Sequence, residues 1–360
     1  MGIEFWDSSN CRVVNHRNYK ILLPNGKLEH SEGFLSGDER CVDYRMYLLR
    51  LMRKYIARDG EIKYRLPTAA NFHELYDQHD TLAIGTGKKH DGFADFFPTI
   101  NELTKHDTPP RNICAGLYEG VTAPLPFAVT VNVSVGHGEL IELPIETRVS
   151  PRAAVLIEGP PEGDLAHLMN LNYSDDPAAF HHEIFRTLEN HFPNVASRTD
   201  KSALALIGED SLLQGNFQPV TRKYWAEISD GKFAMAIGDL KCTMDPLTGQ
   251  GANLASYGAC VLGDQVIANN GNIDRDFCET YDAAIHYRVE GVVGFNNELL
   301  DPAEHTRRLL HAMPHNRALC DDFSARFARP ESIWHKIFKD AEICGAHLSK
   351  FEPALAADAS

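Results

Sequence analysis

The residues with the most chemical content run from Gly238-Asp239, through six residues, to Pro246-Leu247-Thr248-Gly249-Gln250-Gly251-Ala252-Asn253. They follow the apolar run Phe233–Ile237 and precede a helical pattern, so the stretch reads as strand, acidic turn, Gly-rich loop and helix start. An acid leaving the C-terminal end of a strand stands where open α/β sheets bind ligands, and its carboxylate can accept hydrogen bonds from sugar-like hydroxyls. Gly249 and Gly251 let backbone N–H groups approach a flat or anionic ligand closely. A helix starting near Ala252 points its positive end at that ligand. Any one of these residues is more often a plain turn residue. Their combined spacing is what points to a binding function.

Other constellations carry less. His181-His182-Glu183 and the pair His311 and His315 invite a metal reading, but there is no HExxH, and Pro314 interrupts the second pair. The eight cysteines are scattered without a CxxC, so no metal site is expected and the thiols read as reduced, as in a cytosolic protein. His137 lies between two glycines with no G-x-S-x-G elbow in the chain, which suits a β-turn. Asp175-Asp176-Pro177 reads as a helix cap. No nucleophile–base set emerges, so no catalytic side chain is named.

The balance of 35 Lys+Arg against 50 Asp+Glu gives a formal charge of −15. That opposes nucleic acid or an anionic membrane surface as a partner. No apolar run reaches the roughly 18–20 residues of a spanning helix, and the N-terminus lacks the basic and apolar regions of a secretory signal.

Helical spacing of Leu48, Leu51, Met52, Tyr55 and Ile56 predicts one apolar face on a helix over 42–58, capped by Asp38 or Asp43 and stopped at Asp59-Gly60. Strands are expected at 62–66 and from Asp80 into Gly85-Thr86-Gly87-Lys88. Between Pro98 and Pro161 the grammar becomes that of an antiparallel sheet, with Phe127, Val129, Val131 and Val133 alternating. Helices follow at about 252–268, 275–300, 302–319 and 331–350, and the tail from Pro353 reads as frayed.

The Gly-Asp and P-x-x-G-x-G-x-N pattern resembles the second FAD fingerprint of flavoprotein monooxygenases. More closely, the chain resembles the oxygenase component of two-component styrene and indole monooxygenases. Cys41–Tyr47 is similar to that family's V-D-Y-R helix start, Asp80–Lys88 to its strand ending in T-G-K, and Gly136–Pro144 to its G-H-G-E-L-I-E-x-P segment; Leu213-Gln214-Gly215 and Ala252–Tyr257 also match.

This resemblance implies an α/β protein with an α+β insertion. A Rossmann-like FAD-binding domain (38–89 and 228–268) is joined to an antiparallel-sheet substrate domain (1–37 and 90–227) and a C-terminal helical region (269–360). It implies that Gly238, Asp239, Pro246, Gly249, Gly251, Ala252, Asn253 and Arg45 bind FAD, and that Pro246, Leu247 and His16 border an aromatic substrate. FAD would be reduced by a separate, transiently bound NADH-dependent reductase. With O2 it would form a C4a-hydroperoxide that passes oxygen to a styrene- or indole-like C=C bond. A homodimer is compatible with it. One departure is large: no G-x-G-x-x-G occurs, and the match starts inside the family pattern, at Trp6. The FAD domain is therefore expected to lack an N-terminal βαβ unit of roughly 30 residues or more, leaving neighbouring edges and an apolar flank open. The alternatives are a remnant or binding module that does not retain FAD, and a single-component hydroxylase reducing its own flavin with NAD(P)H.

Overall fold

The computed structural model describes residues 13–64, 68, 72–87, 92–147 and 151–351. Trp6, Lys88, Leu66 at the end of the expected 62–66 strand, and the tail from Pro353 lie outside these. In chain order the strands are β1 (Val14–Leu22), β2 (Leu28–Glu39), β3 (Cys41–Val42), β4 (Thr81–Ile84), β5 (Asn112–Glu119), β6 (Val129–Ser134) and β7 (Gly138–Glu146). They continue as β8 (Pro151–Gly159), β9 (Ala205–Leu206), β10 (Leu213–Gly215), β11 (Val220–Thr221), β12 (Trp225–Ser229), β13 (Lys232–Ala236) and β14 (Cys242–Thr243). The helices are α1 (Tyr44–Ile56), α2 (Phe72–Gln78), α3 (Pro177–His191), α4 (Pro193–Ala196), α5 (Gly238–Lys241) and α6 (Gly251–Ala268). After them come α7 (Arg275–Leu300), α8 (Glu304–Ala312), α9 (Arg317–Ala325), α10 (Glu331–Ile333) and α11 (Ala341–Leu348).

The large sheet runs β10-β5-β8-β7-β6-β1-β2, with β3 added to β7 and β9 to β5. Pairs β5–β8, β7–β8 and β6–β7 are antiparallel. The sheet is nevertheless mixed, because β1 runs parallel to β6 and β3 parallel to β7. These N-terminal strands reach their neighbours from far away in sequence, where a hairpin connection, which would force antiparallel pairing, is not available. β2 extends to Glu39 and β3 belongs to the same sheet, so the sheet reaches past the expected boundary at residue 37.

Pro177 opens α3 and Asp176 caps it, accepting from Ala179 N–H at 2.9 Å. Its apolar face, Phe180, Ile184, Phe185 and Leu188, packs on Leu140, Val155 and Ile157 to form the main core beneath the sheet. In β6 the polar residues are the inner set: Thr130, Asn132 and Ser134 are buried, while Val131 and Val133 are half-buried. A satisfied polar layer allows this. Asn132 donates to the Leu140 carbonyl (3.1 Å) and to Glu142 (3.2 Å) and accepts from Asn194 (2.7 Å), and Arg198 pairs with both Glu142 oxygens at 2.9 Å.

The smaller sheet is β12-β13-β4, with β13 and β4 parallel and in register from Phe233↔Thr81 to Ala236↔Ile84. Phe72, Phe93 and Phe97 cover one side of it, while Phe233 and Met235 face α6 and α7 on the other. Along its outer edge β4 pairs with no described strand. Asp43 is the cap of α1, accepting from Arg45 N–H at 2.9 Å, and Asp59 adopts positive φ just past its end. The apolar spacing on α1 does not mark a buried face: the helix has no buried residue, and Leu48, Met52, Tyr55 and Ile56 are exposed, Ile56 at 56%. Replacing both Met52 and Ile56 by lysine is therefore expected to change the unfolding free energy by no more than about 0.5 kcal/mol per site. Urea denaturation checks this; a loss of several kcal/mol would mean the face is covered in solution.

The C-terminal third is helical, with two breaks that spacing alone does not show. The expected 302–319 helix is α8, a 3-10 turn at Met313–His315, and α9, because Pro314 ends one run and Asn316 caps the next, accepting from Leu319 N–H at 3.0 Å. The expected 331–350 helix passes through a π turn at Trp334–Phe338 before Asp340 caps α11. Glu61–Tyr64 is not a strand. Among the described residues no helix is long and apolar enough to cross a membrane.

Candidate cofactor site

β13 and β4 end level with each other, Ile237 N–H donating to the Ile84 carbonyl at 2.9 Å. The chain then turns through Gly238, whose φ of 59° has open space where a Cβ would stand, into the single turn of α5. Asp239 lies in that turn, half-buried, and no group among the described residues donates to its carboxylate; only its backbone carbonyl is engaged, by Thr243. A carboxylate offered to solvent at the C-terminal edge of a parallel strand pair is an unused acceptor at the place where α/β sheets bind ligands.

The Gly-rich loop is fixed from below and open above. Asp245 caps the Pro246–Thr248 turn by accepting from Leu247 N–H at 3.0 Å. Asn296 of α7 donates to both the Asp245 carbonyl and Thr248 Oγ1, each at 3.0 Å. Gly249 closes the turn at φ 66°, again with empty space beside its Cα, and Asn253 donates to its carbonyl at 3.3 Å. The first bond of α6 runs from Leu254 N–H to the Gln250 carbonyl, and no side chain caps the helix. The amides of Gly251, Ala252 and Asn253 thus point out of an 18-residue helix toward solvent. A polar cleft of about 460 Å³ opens beside them, lined by Gln250 and Asn253 together with Arg17, Glu39, Arg288 and Phe327.

These features fit one end of a flavin dinucleotide: an acceptor for ribityl hydroxyls and a positive helix end for the polar edge of the ring. No G-x-G-x-x-G loop for the pyrophosphate occurs in the chain. The structure brings Gly238, Asp239, Pro246, Leu247, Gly249, Gly251, Ala252 and Asn253 into one strand-end and loop region. Arg45, on α1, is paired with other residues. Arg45 forks onto Asp43 (Nε–Oδ1 3.0 Å, Nη2–Oδ2 2.8 Å) and reaches Asp210 at 2.8 Å, so its donors are engaged by two carboxylates. Its neighbour Tyr44 is the α1 residue that senses Asp239: burial raises its phenol, with smaller contributions from Tyr47 and the Asp239 charge. His16 is buried in β1, bonded to Asn15 (2.9 Å) and edge-on to Phe34, and neither contact involves the 246–253 loop.

Sequence reasoning missed two residues that hold the loop, Asp245 and Asn296, and a fully buried acid of β8, Glu158. Asp245-Pro246 carries a readable signal, an acidic residue before proline at a turn start. Asn296 and Glu158 sit inside apolar runs and carry none. Elsewhere, His137 accounts for itself by its 2.7 Å contact with Asp164, beside the ring of His191, and His181 accepts from Leu206 N–H.

Residues 89–198 match a family model described as "Styrene monooxygenase A putative substrate binding domain". The chain is 34% identical over 331 residues to styrene monooxygenase StyA of a Pseudomonas species, covering 90% of this chain and 79% of that one. To StyA of Pseudomonas fluorescens it is 33% identical over 363 residues, covering 99% and 86%. The chain belongs to the styrene monooxygenase family. Membership makes it a flavoprotein monooxygenase.

Solved structures at lower identity show the fold alone. A flavoprotein/dehydrogenase from Cytophaga hutchinsonii aligns with a TM-score of 0.57 at 10% identity over 96% of this chain and 82% of that one. PqsL of Pseudomonas aeruginosa, described as a probable FAD-dependent monooxygenase, aligns at 0.52 with 17% identity over 84% and 82%.

Proposed function

We propose that this flavin monooxygenase epoxidises the C=C bond of styrene- or indole-like aromatics, using FAD delivered in reduced form by a separate NADH-dependent reductase. The observation that carries the reading is the pairing of an unengaged Asp239 carboxylate with the uncapped start of α6. When bound, FAD supplies the oxygen activation, and the chain's residues position it and exclude water. Asp239 accepts from the ribityl chain. The amides of Gly251 to Asn253 oppose the negative charge that a reduced ring carries. Leu247, held by Asp245, presents an apolar side chain toward the substrate.

The large sheet supports a substrate role for its opposite surface. Strand alternation places Ile113, Ala115, Leu117, Leu143 and Leu156 on the face that also bears Glu158, and all except Glu158 and buried neighbours remain half-buried. A half-buried apolar sheet face suits a hydrocarbon ring. In this reading 38–89 and 228–268 serve the cofactor, with β3 lent to the sheet, and 1–37 with 90–227 serve the substrate.

The test is direct. The purified chain is titrated anaerobically with chemically reduced FAD, then mixed with oxygenated styrene, and the epoxide is measured by gas chromatography. Saturable binding and epoxide are expected; absence of any FAD binding would instead favour a non-catalytic member. A second check concerns the pocket. Leu247→Trp is expected to lower kcat/KM for styrene at least about tenfold by filling the substrate space, while the FAD dissociation constant stays within about twofold of the parent's. Equal loss of both would place Leu247 outside the pocket.

A further inference from the structure

Where the large sheet meets the Gly-rich loop, carboxyls outnumber the groups that could neutralise them. Glu158 is fully buried, and neither of its carboxyl oxygens meets a donor among the described residues. Its cross-strand partner in β7 is Glu139, so two acids stand side by side on one face, an arrangement that repels when both are charged. Asp245 faces them from the loop at 2% exposure, close enough for a side-chain hydrogen bond with Glu158. The facing cationic groups are Arg111, whose Nη2 lies 3.5 Å from Glu139, and His106, which Lys105 and Asp301 flank. Burial lowers the His106 pKa, which leaves one dependable positive charge for three acids.

Two carboxylates cannot bond to each other, because both only accept. The orphaned oxygens of Glu158 and the contact with Asp245 are reconciled by one proton. We propose that Glu158 is a positioning residue that keeps a proton and donates it to the Asp245 carboxylate, fastening the Pro246–Leu247 turn to the substrate sheet. The same Asp245 carboxylate accepts from Leu247 N–H, so the proton on Glu158 fixes the turn through one shared group. The direction of titration agrees: burial pushes Glu158 well above its ordinary value, with Asp245 and Glu139 adding to the rise. Asp245 is also raised, chiefly by burial, while the contact from Glu158 pulls it down, as for the accepting partner.

The linkage has a definite sign. A carboxyl whose folded pKa is raised holds a proton that the unfolded chain has released, so stability falls as pH rises from the unfolded value toward the folded one. Loss of that proton sets two anions in contact and pushes the turn from the sheet. The consequence for FAD rests on the function proposed above; the proton itself does not.

The experiment uses the chain without flavin. Infrared spectra of the parent at neutral pH are expected to show a protonated-carboxyl C=O band that shifts in D2O, and its melting temperature should fall as pH rises. In Glu158→Gln the amide donates to Asp245 at every pH, so both the band and the slope should be lost. In Asp245→Asn the new amide donates to Glu158, which then ionises, and the band is again lost. A band and slope that persist in whichever variant folds would overturn the proposal. FAD titration across the same range forms a separate arm, with the parent's dissociation constant rising about tenfold and that of Glu158→Gln staying within about twofold. No FAD binding in any variant would sink the functional reading and leave the proton result standing, whereas equal weakening in both would overturn the coupling to the turn.

Discussion

Asp239→Ala is expected to weaken FAD binding by about ten- to a hundredfold while leaving the melting temperature nearly unchanged. The two halves of this expectation have one origin. The carboxylate is engaged by no donor among the described residues, so its removal breaks nothing within the protein, and nearby substitutions of that kind cost little. A charged acceptor on ribityl hydroxyls contributes roughly 1.5–3 kcal/mol to binding, which is the stated fold-change. Flavin fluorescence titration and calorimetry on the same preparations check both halves. Unchanged affinity would remove Asp239 from the site, and a large drop in melting temperature would make it structural.

The second large effect lies in the polar layer under the sheet. Arg198→Ala is expected to cost about 3 kcal/mol or more of folding stability, because breaking a buried pair strands the remaining charge. Glu142 is 3% exposed and has Arg198 on both oxygens, with Asn132 its one other donor among the described residues. Arg198 also donates to the carbonyls of Asn194 and Thr122, tying α4 to the strand β5–β6 connection. Adding Glu142→Gln to the variant should restore part of the loss, since a neutral amide is cheaper to leave half-paired. Urea denaturation of both single variants and the double variant gives the coupling; a coupling near zero would show that the layer is held by Asn132 and Asn194 instead.

How legible these features were depends on whether their cause is local. The 238–253 stretch was readable because each part acts on its own neighbours: a strand end, a turn with positive φ, a helix start. α3 was readable for the same reason, through Asp176-Pro177. The parallel pairing of β1 with β6 was not, because parallel neighbours are set by the path of the chain between them and leave no mark on either strand. The alternating valines of β6 marked a strand but not which face is inward; hydrogen-bond partners 10 and 62 residues away allow Asn132 to be buried. The stripe on α1 shows the converse limit. Periodicity reports that a helix has an apolar side, and only the neighbouring elements decide whether that side is covered. Arg45 illustrates it at one residue: its place at a helix start suggested a ligand contact, and Asp210, far off in sequence, took one of its donors.

The anchoring of the Gly-rich turn by Asn296 has a consequence for how the protein breathes. Glycine-rich turns are ordinarily among the first segments to open. Here the Asp245 carbonyl and the Thr248 hydroxyl both hang from a single buried amide near the C-terminal end of a 26-residue helix. Local opening of this corner therefore requires the buried C-terminal turns of α7 to give way as well, and amide exchange at Leu247 should follow the kinetics of those turns.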